Sequence, residues 1–241
     1  MGLQDKLSIV IPCKNEGKNI KMVLDCLNYQ NNIDNVNVIV SDISDDEVTK
    51  QILTDRIGDK FNLTLSQGGL PSVARNNGAK LVKTPYILFL DADIFMLDES
   101  LIYENMSYLI NNHLDLLTVR FKTINGDYNS VYDVFYYFQK LTKYISPFCL
   151  GGFMLISTKR FNEIGGFDET VKVAEDYLLT RHINSNRFGI VNKVIYTTPR
   201  RFKNKGLFYM IKLFVSSFLN RNNKKYFKED NGYWLWNNGE Q

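Results

Sequence analysis

Short, almost unbroken apolar runs alternate with segments of helical period along the first half of the chain. Residues 7–12 (Leu-Ser-Ile-Val-Ile-Pro) form the first run, the pattern of a central strand buried on both faces. Ile20, Val23, Leu24 and Leu27 follow at i, i+3, i+4, i+7 spacing, which predicts an amphipathic helix beginning near Asn15. Residues 36–41 predict a second strand, ending in acid at Asp42. Phe61, Leu63 and Leu65 alternate with polar residues and predict a third, nearer a sheet edge. Residues 86–90 (Tyr-Ile-Leu-Phe-Leu) predict another buried strand that runs directly into Asp91-Ala92-Asp93. Strand–helix alternation of this kind defines an α/β chain with a mostly parallel sheet and helices on both faces.

The second half is less regular. Residues 115–121 and 150–157 read as strands, and 189–197 as a last one. Residues 130–145 read as an aromatic-rich helix whose apolar stripe is Val131, Val134, Phe135, Phe138 and Leu141. A further helix is expected to start at Glu175. No internal repeat is visible. The break in pattern falls at residues 198–206, where a basic segment begins.

Composition changes this picture in one place. With 44% hydrophobic and 23% charged residues among 241, the chain can bury one large α/β core, and global disorder is excluded. A net charge of +3 gives no reason to expect a nucleic-acid partner. Residues 199–230, however, hold nine Lys or Arg and two acids, so the C-terminal end is a basic appendage. Cys13, Cys26 and Cys149 have no C-x-x-C spacing and only two histidines are present, which argues against a structural zinc site. No apolar run approaches the roughly 20 residues that span a bilayer, and residues 7–12 are too short for a secretory leader. The expected location is cytoplasmic, with peripheral membrane attachment left open for the appendage.

Candidate chemistry clusters at strand ends. A bare Asp-x-Asp is common, but Asp91 and Asp93 stand at the C-terminal end of an apolar strand, where open α/β sheets bind ligands. Two carboxylates in one small volume repel unless a cation lies between them, and oxygen ligands suit Mn²⁺ or Mg²⁺ with phosphate completing the shell. The alternative is a solvated pair capping the next turn. Asp42 could accept a hydrogen bond from a ribose hydroxyl or a base N–H, while Asp45 and Asp46 serve equally well as helix caps. Residues 68–78 read as a Gly/Pro loop entering a helix near Ser72, where the helix end and Arg75 would favour a diphosphate; pairing of Arg75 with acids is the plainer alternative. Gly151 and Gly152 permit close backbone approach. Glu175 and Asp176 at a helix start also complement its dipole.

Taken in order, residues 8–16 (SIVIPCKNE), 38–46 (VIVSDISDD), 70–96 (LPSVARNNGAKLVKTPYILFLDADIFM), 151–169 (GGFMLISTKRFNEIGGFDE) and 174–182 (AEDYLLTRH) resemble family-2 glycosyltransferases of the GT-A fold. The resemblance covers roughly residues 6–200. It implies a catalytic domain over 1–200, with a nucleotide-binding half (1–112) and an acceptor-binding half (113–200), followed by a helical extension over 201–241. It also implies transfer of a sugar from a nucleotide-sugar donor, UDP-linked by preference, with inversion and with Mn²⁺ or Mg²⁺. Pro12 and Glu16 would lie beside the nucleotide, Asp42 on the base or ribose, and Arg75 near the base or diphosphate. Asp91 would lie near ribose and metal, and Asp93 would be the metal ligand. Gly151 and Gly152 would border the acceptor, and Asp176, with Glu175 beside it, would be the general base. Arg200 and Arg201 could reach the leaving diphosphate.

Two departures matter. The second strand ends in Ser41-Asp42 where the family usually has two Asp, which leaves the donor base open. The Q-x-x-R-W element of processive synthases is absent, which favours transfer of a single sugar. The acceptor, whether glycan, lipid-linked or protein, is not specified. The same fold would also serve a polyprenyl-phosphate sugar transferase or a non-catalytic nucleotide-sugar-binding module. A phosphatase would place its Asp-x-Asp near the domain start, and a nucleotidyltransferase would need a Gly-rich basic loop where Cys13-Lys14-Asn15-Glu16 stands. In the appendage, Leu207, Met210, Ile211, Phe214 and Phe218 form a helical stripe flanked by Lys203, Lys205, Arg221, Lys224 and Lys225. That stripe fits a peripheral membrane contact through residues 203–225, or a helix packed on the catalytic domain or another subunit.

Overall fold

A computed structural model of the protein describes residues 2–56 and 58–229. Its elements follow the order β1 (Leu7–Cys13), α1 (Gly17–Asn28), β2 (Asn37–Asp42), α2 (Glu47–Thr54), β3 (Asn62–Gln67), α3 (Pro71–Ala79), β4 (Tyr86–Leu90), β5 (Ile94–Phe95) and α4 (Leu101–Asn111). There follow β6 (Leu116–Thr123), α5 (Asn129–Thr142), β7 (Phe153–Ser157), α6 (Thr158–Ile164), α7 (Glu175–Thr180), β8 (Phe188–Thr197), α8 (Arg200–Lys205), α9 (Leu207–Leu219) and α10 (Lys224–Lys228).

These strands form one sheet in the order β3-β2-β1-β4-β7-β6-β8-β5. Strands β3, β2, β1 and β4 are mutually parallel, as is the β6–β8 pair. Strand β7 runs antiparallel to both β4 and β6, and β5 runs antiparallel to β8. The result is the mixed, mostly parallel α/β sheet expected from the pattern. β1 is central because Leu7, Ile9, Val10 and Ile11 are all fully buried, and the alternating β3 lies at the edge. On one face the α1 residues Ile20, Val23, Leu24 and Leu27 join the main core. On the other, Phe89 of β4 packs between Phe161 and Phe167, with ring centres 5.1 and 5.0 Å away.

Helix α1 starts at Gly17, two residues later than the periodicity indicates. Asn15 has a positive φ of 53°, its N–H donates to Ser44 Oγ (2.8 Å), and its side chain donates to Asp45 (2.6 Å). It therefore ties the β1–α1 loop to the β2–α2 loop instead of joining the helix. Asp46 caps α2 by accepting from the Thr49 N–H at 2.7 Å, so the capping reading is the one realised there. Strand β7 begins at Phe153 rather than Leu150, because residues 151–152 turn against the end of β4: the Asp91 N–H donates to the Gly152 carbonyl at 3.1 Å.

Helix α5 departs more from expectation. It buries Phe135, Tyr136, Gln139 and Thr142, while Val134, Phe138 and Leu141 of the expected stripe are exposed. Tyr132 stacks on Phe121 of β6 at 6.2 Å, which turns the helix away from the stripe predicted. The stripe expected on α9 is likewise divided. Met210 is buried, and Phe214 and Phe218 meet Phe135 and Phe138 of α5 at 4.2 and 6.0 Å. Leu207 and Ile211 remain exposed.

The chain then returns to the body of the fold. Phe227 of α10 is fully buried with Phe148, Val171, Val173 and Tyr177, and the Lys172 N–H donates to its carbonyl at 2.8 Å. Among the described residues no helix is long and apolar enough to cross a membrane. All three cysteines are free.

Candidate functional site

The C-terminal ends of β1, β2 and β4 open on the same side of the sheet, as parallel register requires: Pro12 pairs with Ser41 and Cys13 with Asp42. Past β4 the chain turns at Asp91-Ala92-Asp93 and enters β5, whose Ile94 pairs with Thr197 at the end of β8. That short pairing brings residues 198–201, far away in sequence, to Asp93. Thr198 Oγ1 donates to Asp93 Oδ2 at 3.4 Å, and Arg200 Nη2 lies 3.9 Å from the same oxygen and 2.7 Å from Glu16 Oε1. Asp93 is largely buried. Burial first, then the Asp91 and Glu16 charges, push its carboxyl up to about 6 against the opposing pull of Arg201 and Arg200.

Arg75 of α3 is the hinge of the site. Its guanidinium is buried, donating from Nη2 to Asp91 Oδ1 at 2.6 Å and from Nη1 to Glu175 Oε1 at 2.7 Å. Phe167 lies beneath it, 5.4 Å from Cζ to the ring centre. Burial alone would weaken its hold on the proton, but the Asp91 and Glu175 charges outweigh burial and keep it above the ordinary guanidinium range. Arg75 is thus committed to two carboxylates, 16 and 100 residues away in sequence. It joins the end of β4 to the start of α7.

Asp176 follows on that helix. Its Oδ1 accepts from the Tyr177 N–H at 2.7 Å. Burial first, then the adjacent Glu175 charge, raise its carboxyl from 3.8 to about 7, with Arg75 and the Tyr177 and Gly151 N–H groups working in the opposite direction. Gly151 closes this pocket: a Cβ there would stand 3.0 Å from Arg75 Nη2 and 3.2 Å from Asp176 Oδ2. At Gly152 a Cβ would stand 2.9 Å from Ile94 Cδ1 and 3.0 Å from Phe121 Cε1. Backbone here passes close to Arg75 and Asp176 on one side and to the core on the other, and glycine leaves room for that approach.

Asp42 lies further out. Its Oδ1 accepts from Ser44, from Oγ at 2.6 Å and from N–H at 3.2 Å. Burial, then the charges of Asp42 and Glu16, push the Cys13 thiol at the end of β1 up, against a hydrogen bond with Ser44. The fold therefore gathers Glu16, Arg75, Asp91, Asp93, Gly151, Gly152, Glu175, Asp176, Arg200 and Arg201 into one cluster, with Pro12 and Asp42 on its β1–β2 side. Sequence reasoning missed Thr198, Phe167 and the Asn15–Ser44 clasp. Each reaches the site through tertiary pairing; Asn15, Ser44 and Phe167 fall within stretches that carry the resemblance, but nothing local marks their contacts, and Thr198 lies outside those stretches.

Asp91 and Asp93 offer the hard oxygen donors that suit Mn²⁺ or Mg²⁺. Among the described residues no three His, Cys, Asp or Glu side chains converge on one point. A cation at this strand end would accordingly take the rest of its shell from phosphate and water, the usual arrangement for Mg²⁺-type sites.

A cluster of carboxylates and arginines thus stands at the strand ends of an open α/β sheet, the place where such sheets bind their ligands. Residues 8–165 match the family model for glycosyl transferase family 2, and the chain belongs to that family. The poly(ribitol-phosphate) beta-N-acetylglucosaminyltransferase TarS of Staphylococcus aureus is 28% identical over 212 residues, covering 81% of this chain. That stretch is 36% of TarS, so the chain spans about a third of this relative. A crystal structure of TarS residues 1–349 in complex with UDP-GlcNAc superposes with a TM-score of 0.62 at 22% identity, over 80% of this chain and 58% of that one. The mannosyltransferase PcManGT of Pyrobaculum calidifontis, in complex with GDP-Man and Mn²⁺, gives 0.61 at 14% identity, over 88% and 64%. These structural likenesses show the fold, which is of the GT-A type.

Proposed function

We propose that the protein transfers a single sugar from a nucleotide-diphosphate sugar, UDP-linked by preference, to an acceptor hydroxyl with inversion at the anomeric carbon. The observation that carries this reading is the Arg75 bridge. One buried guanidinium ties Asp91, at the strand end, to Glu175, beside Asp176. Donor-side and acceptor-side acids thereby face the same volume, which a displacement reaction requires.

In this reading Asp176 is the general base. A carboxyl raised to about 7 can take a proton from a hydroxyl near neutral pH far better than an ordinary aspartate. Its Oδ2 lies beside Gly151, where the acceptor would enter. As the acceptor oxygen attacks the anomeric carbon, its proton passes to Asp176 and the bond to the nucleoside diphosphate breaks on the opposite face. Arg200 and Arg201 would stand beside that growing charge, since Arg200 lies 3.9 Å from Asp93, and preorganised cations there favour departure. Glu16 orients Arg200 through their 2.7 Å ion pair. Asp93 and Asp91 would hold Mn²⁺ or Mg²⁺, which supplies charge neutralisation at the diphosphate when bound. Asp42 would contact the base or ribose, with Pro12 beside it.

Thermal unfolding with UDP, GDP or dTDP, each with and without Mn²⁺, tests the donor site. A nucleotide at about a hundred times its dissociation constant adds roughly 2.7 kcal/mol, or on the order of 5–10 °C for a chain this long. We expect the shift with UDP, dependent on Mn²⁺ and lost in Asp93→Asn. A shift of equal size without Mn²⁺ would remove the metal from the proposal, and no shift with any nucleotide would remove the donor site.

A further inference from the structure

Among the described residues, half of the large apolar side chains left exposed lie on, or just beyond, two neighbouring helices. On α5 they are Val134, Tyr137, Phe138 and Leu141, at i, i+3, i+4, i+7 spacing, continued by Tyr144 and Ile145 just beyond it. On α9 they are Phe208, Ile211, Val215 and Leu219. Exposure is far from marginal: it reaches 76% at Leu141, 74% at Ile145 and 82% at Phe208. The two helices pack through Phe135–Phe214 and Phe138–Phe218, so their outer stripes border one another. Together they make one apolar face of a size that monomeric soluble proteins rarely leave uncovered.

Cations lie on the same helices and in the segment that follows α9. Lys140 and Lys143 rise from α5, with Nζ lying 4.5 Å from the Tyr136 ring centre and 5.4 Å from that of Tyr144. Lys212 interrupts the α9 stripe, and Arg221, Lys224 and Lys225 follow its end. None of these six takes part in an ion pair among the described residues, whereas Lys203, further back, pairs with Asp127. Arg221 and Lys224 also line a cavity of about 390 Å³ with Arg181 and Lys228, where Asp168 is the one acid.

We infer that this two-helix face lies on an anionic lipid surface. Apolar side chains with lysines among them suit the headgroup–acyl boundary, where the apolar tips bury and the ammonium groups reach phosphate. The exposed Tyr137 and Tyr144 suit the same zone. α9 has 13 residues, roughly 20 Å in length, and it lies along the surface rather than across it. Charge complementarity selects this occupant over a second copy of the chain. A two-fold interface opposes a patch to itself, and would press unneutralised lysines against the same lysines. The face also has a direct connection to the chemistry. The chain leaving α5 runs through Ser146, which hydrogen-bonds Tyr177 of α7 at 3.0 Å, and Phe148 before it reaches Gly151. A lipid-bound protein would hold its acceptor edge close to the bilayer.

Sedimentation of the full chain with vesicles tests this without any reliance on sugar transfer. The vesicles are phosphatidylcholine alone or phosphatidylcholine with phosphatidylglycerol, at low and high salt. We expect binding to the phosphatidylglycerol vesicles, weakened by salt. It should fall by about tenfold or more in Leu141→Glu/Phe208→Glu and in Lys140→Gln/Lys212→Gln, two pairs of surface changes that leave the melting temperature in place. Failure to sediment with either vesicle overturns the inference. So does a concentration-dependent dimer, seen by light scattering, that Leu141→Glu/Phe208→Glu dissolves, because that result assigns the face to a second copy.

Discussion

Asp176→Asn separates the two things this side chain is argued to do. The carboxyl is raised from 3.8 to about 7, so the folded protein holds that proton more tightly than the unfolded chain does. The stability this contributes is complete below about pH 4 and is lost as pH rises through about 7. Each tenfold difference in proton affinity is worth about 1.4 kcal/mol, which sets an upper bound of about 4 kcal/mol for charging Asp176 in place. The side chain is not sealed from solvent, and screening should reduce the figure to about 2 kcal/mol.

Asparagine keeps the shape and the acceptor oxygen for the Tyr177 N–H but cannot ionise. The variant should therefore melt about 4–8 °C higher than wild type near pH 8, with the difference shrinking towards zero near pH 4. Sugar transfer should meanwhile fall by roughly 10²–10⁴, with UDP-induced stabilisation unchanged. Melting curves from about pH 4 to pH 8, read beside a radiolabelled transfer assay, supply both numbers. A difference in melting temperature that does not vary with pH would refute the electrostatic argument. Near-normal transfer would move the base elsewhere.

Other positions yield sharper structural tests. Arg75→Met leaves Asp91 and Glu175 without their shared partner, and breaking such a buried bridge should cost about 3–5 kcal/mol; differential scanning calorimetry would read a fall on the order of 10 °C. Gly151→Ala should change the melting temperature little, since the new methyl meets side-chain ends at 3.0 and 3.2 Å that can yield. It should nevertheless lower kcat by about tenfold or more, because those ends belong to Arg75 and Asp176, and displacement of an aligned group by a fraction of an ångström is costly. Gly152→Ala should do the reverse: its methyl meets Ile94 and Phe121 inside the core, and unfolding measurements should show a loss of about 1–3 kcal/mol from overpacking.

The first half of the fold was legible because burial on two faces writes a continuous apolar run, as at residues 7–12 and 86–90, while an edge strand writes alternation, as at 61–65. Acids at the ends of such runs were legible for the same reason: in a parallel sheet all those ends open on one side. What could not be read was the partner of each charge. Arg75 could be read as meeting a diphosphate or as pairing with acids, and only the fold names those acids as Asp91 and Glu175. Glu16 and Arg200 are 184 residues apart and meet because a two-residue strand, β5, pairs with the end of β8. Ile94-Phe95 carries no periodicity that could have announced a strand.

Helices α5 and α9 were misread for the opposite reason, an excess of apolar positions rather than a shortage. Hydrophobic period identifies the buried face of a helix only when the other face is polar. From Leu207 to Leu219 the residues outside the expected stripe are themselves mostly apolar, Phe208, Tyr209, Leu213, Val215 and Leu219 among them, so several stripes fit about equally well. Tertiary packing chose Met210, Phe214 and Phe218 for the inside, and Phe208, Ile211, Val215 and Leu219 were left outside. The same ambiguity arises in α5, where Phe135 and Tyr136 turn inward and Val134 and Leu141 turn out. A helix that is apolar on both sides is one that meets two apolar environments. The core supplies the first of them here, and the lysines set into the outer face identify the second as anionic.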